Sequence, residues 1–158
     1  MSAADEPQVG GTSPFDIPTQ PPSERIWDIV LAIAAGGALG GAARHGLNTL
    51  IVVEGGSFPW STLVENVVGS FLLGMLMVFL LEVWPPNRYL RPFLGVGLLG
   101  GFTTFSAYTS ETRGLLQDGE GVLALTYLFG SVALGLLAVW IGITTGRAIT
   151  RDRPWRQP

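Results

Sequence analysis

Four long apolar runs follow one another along the chain, separated by short polar connectors. The first covers about residues 26–53 and contains WDIVLAIAAGGALGGAARHGLNTLIVV. The second, about 60–84, reads WSTLVENVVGSFLLGMLMVFLLEVW, with Trp60 and Trp84 at its ends. The third runs over about 90–110 and the fourth, VLALTYLFGSVALGLLAVWIGITTG, over 122–146. A helix needs roughly 20 apolar residues to cross a bilayer, and tryptophans bracket such helices at the two interfaces. The pattern predicts an all-α membrane protein of four transmembrane helices.

The third run is unlike the others. Gly97-Leu-Leu-Gly-Gly-Phe-Thr-Thr-Phe-Ser-Ala-Tyr-Thr-Ser-Glu111 sets adjacent glycines, a run of hydroxyls and an acid inside an oily segment. Each glycine lowers helix propensity by about 1 kcal/mol relative to alanine. Gly100-Gly101 therefore predicts a helix broken near its middle. The carbonyls freed there need partners inside the protein or in a water-lined cavity.

The first run carries a different glycine pattern. Gly36, Gly37, Gly40, Gly41 and Ala42 are spaced to let helices approach closely in lipid. Arg44 interrupts this run and must anchor at an interface, pair, or face water. In the second run Asn66, Gly69 and Ser70 fall on one helix face. In the fourth, Tyr127, Ser131 and Gly135 recur every four residues, with hydroxyls on the first two.

The flanks complete the layout. Residues 1–24 hold five prolines and few apolar side chains, so a solvated, disordered arm is expected there. The four-span domain occupies 25–147, and an arginine-rich tail covers 148–158. Arg25, Arg88, Arg91, Arg147, Arg151, Arg153 and Arg156 fall on one side of the four spans, against Arg113 alone on the other. The positive-inside rule then places both termini in the cytoplasm of a multi-pass cell-membrane protein.

Composition narrows the chemistry. The chain is 47% hydrophobic and 13% charged, with a mean hydropathy of +0.41; soluble domains average about 25% charged residues. It has no cysteine, no lysine and one histidine, His45, in a glycine-rich apolar helix. Disulfide frameworks, thiolate metal sites and a Ser/His/acid triad have no footing, and no enzyme is expected. Outside the tail there is no basic face for nucleic acid.

Passage of a solute fits better. The polar groups inside the runs are Asn66, Ser70, Thr103, Thr104, Ser106, Tyr108, Thr109, Tyr127 and Ser131, nearly all neutral hydrogen-bond donors. Such groups, with the positive ends of broken helices, can replace the water shell of a small anion. Phe105 and Tyr108, at i and i+3, present ring edges that carry partial positive charge, though the same spacing also suits plain core packing. Asn66 likewise suits either a pore-lining amide or an interhelical hydrogen bond. Glu65, Glu82 and Glu111 point the other way, toward a proton-coupled exporter of cations with Glu65 as proton carrier.

Over about residues 36–146 the chain resembles the CrcB/Fluc fluoride channels. The resemblance rests on Gly97-x-x-Gly-Gly-Phe-Thr-Thr-Phe-Ser-x-x-x-x-Glu111, on Gly36-Gly-x-x-Gly-x-x-x-Arg44, and on Asn66-x-x-Gly69-Ser70. It implies a passive channel that exports fluoride, built as an antiparallel dimer with pores along the interface. It also implies a structural sodium ion, not transported, held by the carbonyls of Gly100 and Thr103. The pathway residues it implies are Asn66, Phe105, Ser106, Tyr108, Tyr127 and Ser131, with Thr104, Glu111 and Arg44 at further motif positions.

Three positions depart from the family pattern. Tyr108 stands where a second phenylalanine is usual, and Gly135 where the hydroxyl track continues. Glu65 stands where a small or apolar residue is usual, and a charge there is expected to face away from an anion path or to be neutral. The seven-to-one arginine bias adds the expectation that the chain inserts one way and pairs with a paralogous subunit of opposite bias, an antiparallel dimer with itself being the alternative. Two alternatives to a conducting fluoride channel stand beside it: a small multidrug-type exporter, and a non-conducting partner subunit.

Overall fold

A computed structural model describes residues 26–51 and 57–151. The arm expected at 1–24 and most of the arginine-rich tail lie outside the described residues. Every regular element among those described is helical. Helix α1 covers Trp27–Leu50 and α2 covers Trp60–Val78. A π-helical turn, Phe79–Val83, extends α2 and closes with Trp84 N–H on the Phe79 carbonyl at 2.8 Å. The third segment starts as a π-helix, Pro92–Leu99, and ends in one α turn, Gly100–Phe102; together these form α3. Pro92 sits at the start, where a missing N–H costs no helical bond. Helices α4, Phe105–Gln117, and α5, Gly121–Thr150, follow.

Among the described residues three helices are long and apolar enough to cross a membrane: Trp27–Leu50, Trp60–Val83 and Gly121–Thr150, with mean hydropathies of 1.2, 2.0 and 2.2. The third segment is interrupted, as the sequence predicts, but not at the double glycine. Gly100 is helical, with φ −65° and ψ −31°. The chain becomes extended at Thr103 (φ −80°, ψ 159°) and Thr104 (φ −146°, ψ 126°). Gly101 serves close packing instead, since a β-carbon there would sit 2.6 Å from the Gly37 carbonyl oxygen. The glycine pair permits contact, and the threonine pair makes the break.

Two further boundaries differ from expectation. Helix α4 continues past Ser110 to Gln117, so the expected polar loop shrinks to residues 118–120. A Schellman motif ends it: Gly119 takes φ +82°, its N–H reaches the Leu116 carbonyl at 3.3 Å, and the Glu120 N–H reaches Leu115 at 2.9 Å. The last helix runs to Thr150 rather than 146.

The helices pack as two pairs, α1 on α3 and α2 on α5. Glycine makes both seams. Gly36 and Gly40 of α1 lie against the backbone of Phe93, Leu98 and Phe102, and Gly97 of α3 lies against Gly36. Gly74 and Gly142 do the same between α2 and α5. In lipid, where hydrophobic burial between helices contributes little, such close backbone contact drives association. A second set of contacts ties α4 to α2 and α5 through Leu63, Tyr108, Leu115, Ala124 and Tyr127. At one end Arg88 pairs with Asp28 at 2.9 Å and Arg147 with Glu82 at 3.0 Å. These pairs gather the start of α1, the α2–α3 connector and the end of α5 at the same end of the bundle.

Neighbouring glycines of α1 therefore predict opposite outcomes. Gly40→Ala forces a methyl into the α3 backbone and lowers stability by about 1–3 kcal/mol. Gly41 has open space around it, so Gly41→Ala is neutral or stabilising by up to about 1 kcal/mol. Unfolding of the two variants in detergent or bicelles measures the difference; equal losses would mean that α1 does not meet α3 along this face.

Candidate functional site around the broken helix

An interrupted helix leaves backbone groups without their usual partners, and Asn66 on α2 takes two of them. Its Nδ2 donates to the Thr104 carbonyl and its Oδ1 accepts from the Thr104 N–H, both at 2.9 Å. The side-chain amide thus pairs with one extended peptide as a neighbouring strand would. Gly69, one turn on, lets Thr103 lie against α2. Thr104 then caps α4, its Oγ1 accepting from the Ala107 N–H at 3.2 Å and lying 3.3 Å from Ser106 Oγ.

These bonds leave particular carbonyls free of helical donors. In a continuous helix the Thr104 N–H would bond Gly100 and the Ala107 N–H would bond Thr103. Both N–H groups go elsewhere. The Thr103 carbonyl meets only a long 3.5 Å contact from Arg44 Nη1. Arg44 thus reaches toward the break.

Two open cavities flank the extended residues. One, of about 330 Å³, is lined by Asn66, Gly69, Ser70, Gly100, Thr103, Thr104 and Phe105, among others. The second, of about 500 Å³, is lined by Arg44, Asn48, Glu65, Thr104, Ser106, Ala107 and Ser110. Glu65, expected to face away from an anion path or to be neutral, lies beside the break. It is fully buried at the wall of the second cavity, one residue before Asn66 on the helix that holds the break, and its carboxylate oxygens are closed off from that space.

The remaining sequence-predicted residues separate into two groups. Phe105 and Ser106 are exposed, Phe105 by 77%, at the start of α4. Tyr108 and Tyr127 are buried, with ring centroids 5.3 Å apart. The Tyr108 hydroxyl donates to the Leu128 carbonyl at 2.7 Å. The Tyr127 hydroxyl donates to Glu111 Oε2 at 2.7 Å, while Thr62 donates to Glu111 Oε1 at the same distance. Ser131 Oγ is buried without a hydrogen-bond partner. The break thus brings together Asn66, Gly100, Thr103, Phe105 and Ser106; the Phe105 ring, 5.8 Å from that of Tyr108, joins them to the buried tyrosines, of which Tyr127 bonds Glu111. Sequence reasoning passed over Thr62 and Asn48. Thr62 was within reach, since it precedes Asn66 by four residues on the polar face of α2. Asn48 had no comparable signal.

Comparison with known proteins places this arrangement. Residues 31–143 match the family described as CrcB-like protein, Camphor Resistance (CrcB). The chain is similar to Fluoride-specific ion channel FluC 3 of Streptomyces avermitilis, 46% identical over 119 residues, which are 75% of this chain and 58% of that relative. The chain thus spans somewhat over half of that protein's length. It is 38% identical over 148 residues to Fluoride-specific ion channel FluC 1 of Streptomyces coelicolor, covering 91% of this chain and 94% of the other. It is 48% identical over 120 residues to Fluoride-specific ion channel FluC of Thermus thermophilus, covering 75% and 95%.

The geometry makes Asn66 a stability determinant. Asn66→Leu leaves a buried N–H and a carbonyl unpaired, at about 1–3 kcal/mol for each group. Unfolding of the detergent-solubilised chain should show a loss of at least about 2 kcal/mol; a loss within error would mean that the break is held by something else.

Proposed function

The chain belongs to the CrcB-like family, and from that premise we propose that it is a subunit of a fluoride-specific channel that lowers cytoplasmic fluoride by passive efflux. The observation that carries this reading is the broken third segment, with α2 clamped to it and polar cavities on both sides. Fluoride leaves water only where donors replace its hydration shell. Asn66 uses one of its two amide hydrogens on Thr104 and keeps the other. The first N–H groups of α4, at Phe105 and Ser106, have no helical acceptor and sit at the positive end of the helix. The Ser106 hydroxyl and the Phe105 ring edge complete a donor-lined passage. Ser131 Oγ, unpartnered, is available further along α5. Tyr127 and Tyr108 shape the wall, their hydroxyls already bound to Glu111 and Leu128.

The third segment and α4 together supply the fourth crossing. Gly100 and Phe105 are exposed on one chain, so a second, antiparallel copy or paralogue covers them. The carbonyls of Gly100 and Thr103, without their helical donors, are neutral hard oxygens suited to sodium. Two oxygens from one chain leave such an ion short of ligands, which a second subunit supplies; the ion's positive charge would hold both breaks together. The arginine bias places both termini in the cytoplasm. A cation exporter fits less well, because Arg44 shares the cavity of Glu65 and repels cationic substrates.

Reconstitution tests the reading. Liposomes holding this chain and loaded with potassium fluoride should release fluoride when valinomycin sets the potential, without a proton gradient, and should retain chloride. Phe105→Ile should slow release by about tenfold or more, the loss of one favourable contact of about 1.4 kcal/mol. Release that requires a proton gradient would contradict a passive channel. Orientation is checked separately with reporters at the C-terminus: signal from the cytoplasmic side alone indicates a paralogous partner, and comparable signal from both sides indicates a dual-topology homodimer.

A further inference from the structure

A line of four rings runs from the start of α2 to the break. Phe58 meets Tyr127 edge-on, with centroids 5.4 Å apart. Tyr127 meets Tyr108 at 5.3 Å, and Tyr108 meets Phe105 at 5.8 Å. The two inner rings are buried, and each is held by its hydroxyl. Tyr127 donates to Glu111 and Tyr108 to the Leu128 carbonyl of α5, both at 2.7 Å. Phe105, at the end of the line, is exposed, and among the described residues the ring that lies against it is Tyr108.

The Tyr108 hydroxyl is not needed to satisfy anything on α5. Leu128 lies inside that helix, so its carbonyl already accepts the helical N–H of Val132. The tyrosine supplies a second bond, to the other lone pair of the same oxygen. A phenylalanine would fill the same buried space and leave no polar group unpaired. What the bond adds is a tether, which stops the ring from swinging and ties the first turn of α4 to α5. Phe105 opens α4, and Tyr108 follows three residues later on the same helix face. A fixed Tyr108 ring limits where the Phe105 ring can lie. Phe105 in turn lines the first cavity with Asn66, Gly100 and Thr104.

We propose that Tyr108 is a positioning residue for the anion passage: tethered to α5 by its hydroxyl, it holds the Phe105 ring in one pose beside the break. The proposal rests on the channel reading and adds what sets the pose of Phe105. An anion is attracted by the edge of an aromatic ring and repelled by its face. The ring must therefore present its edge, and a ring that is already held loses no rotamer freedom when the anion arrives. Cutting the tether weakens the hold on fluoride and leaves the passage itself open. Tyr108 acts through Phe105 and makes no contact with the anion.

Tyr108→Phe removes the hydroxyl alone and is the test. Fluoride release from liposomes is measured over a series of internal fluoride concentrations, at equal protein content, for the unaltered chain and for Tyr108→Phe. The half-saturating concentration should rise by about two- to tenfold in the variant, with the maximal rate unchanged. A lower maximal rate at the same half-saturation means fewer intact channels and overturns the positioning role; so does no change in either quantity. Both results leave the channel reading standing, whereas no protein-dependent release from the unaltered chain overturns that reading and the role in passage with it. A second measurement needs no transport: fluorine NMR, in bicelles, of the chain carrying para-fluorophenylalanine in place of Phe105. One signal in the unaltered chain that moves or broadens in Tyr108→Phe supports the fixed pose. A signal already averaged in the unaltered chain, or the same signal in both proteins, overturns it.

Discussion

The pairing of one side-chain amide with one peptide is the constraint on which the other features depend. Backbone groups inside a membrane must be satisfied by the protein. A break at Thr103 and Thr104 is tolerable because Asn66 accepts from and donates to the same residue. That pairing also joins the two halves of the bundle. Asn66 belongs to the α2–α5 pair and Thr104 follows directly on the α1–α3 pair. Direct packing between the pairs is sparse, and the two cavities lie beside this joint. The interaction that repairs the backbone therefore also fixes the polar surfaces on either side.

Glycine explains how so short a chain supports the arrangement. Backbone contact at Gly36, Gly40, Gly97 and Gly101 locks α3 to α1 without large side chains. The π-helical turns of α3 place its carbonyls against that glycine face, and such turns recur at functional sites in membrane and soluble helices. A rigid α3 ending at Phe102 and a capped α4 beginning at Phe105 leave only two residues extended. Free carbonyls and free N–H groups consequently lie close together along one short segment.

Much of this was legible in the residues. Length and hydropathy marked the crossing segments, and the Asn66–Gly69–Ser70 face pointed to a polar seam that the structure places against the break. The site of the break itself was not legible, because glycine signals both flexibility and close packing. Gly100-Gly101 suggested the first, and contact with Gly37 makes Gly101 an instance of the second. The destination of Glu65 was hidden for a related reason. Helical periodicity places it beside Asn66 but does not say which neighbour covers it, and that neighbour, α1 with Arg44 and Asn48, is distant in sequence. The tyrosines show the same limit: their hydroxyls suit a pore until Glu111 and the Leu128 carbonyl are seen to hold them.

Asn66 holds the break by occupying both polar groups of Thr104. Amide hydrogen exchange at Thr104, resolved by NMR on the chain in lipid bicelles, tests it most directly. This N–H should exchange as slowly as those inside the neighbouring helices, and Asn66→Leu should release it. Rapid exchange in the unaltered chain, or slow exchange that survives Asn66→Leu, would contradict it.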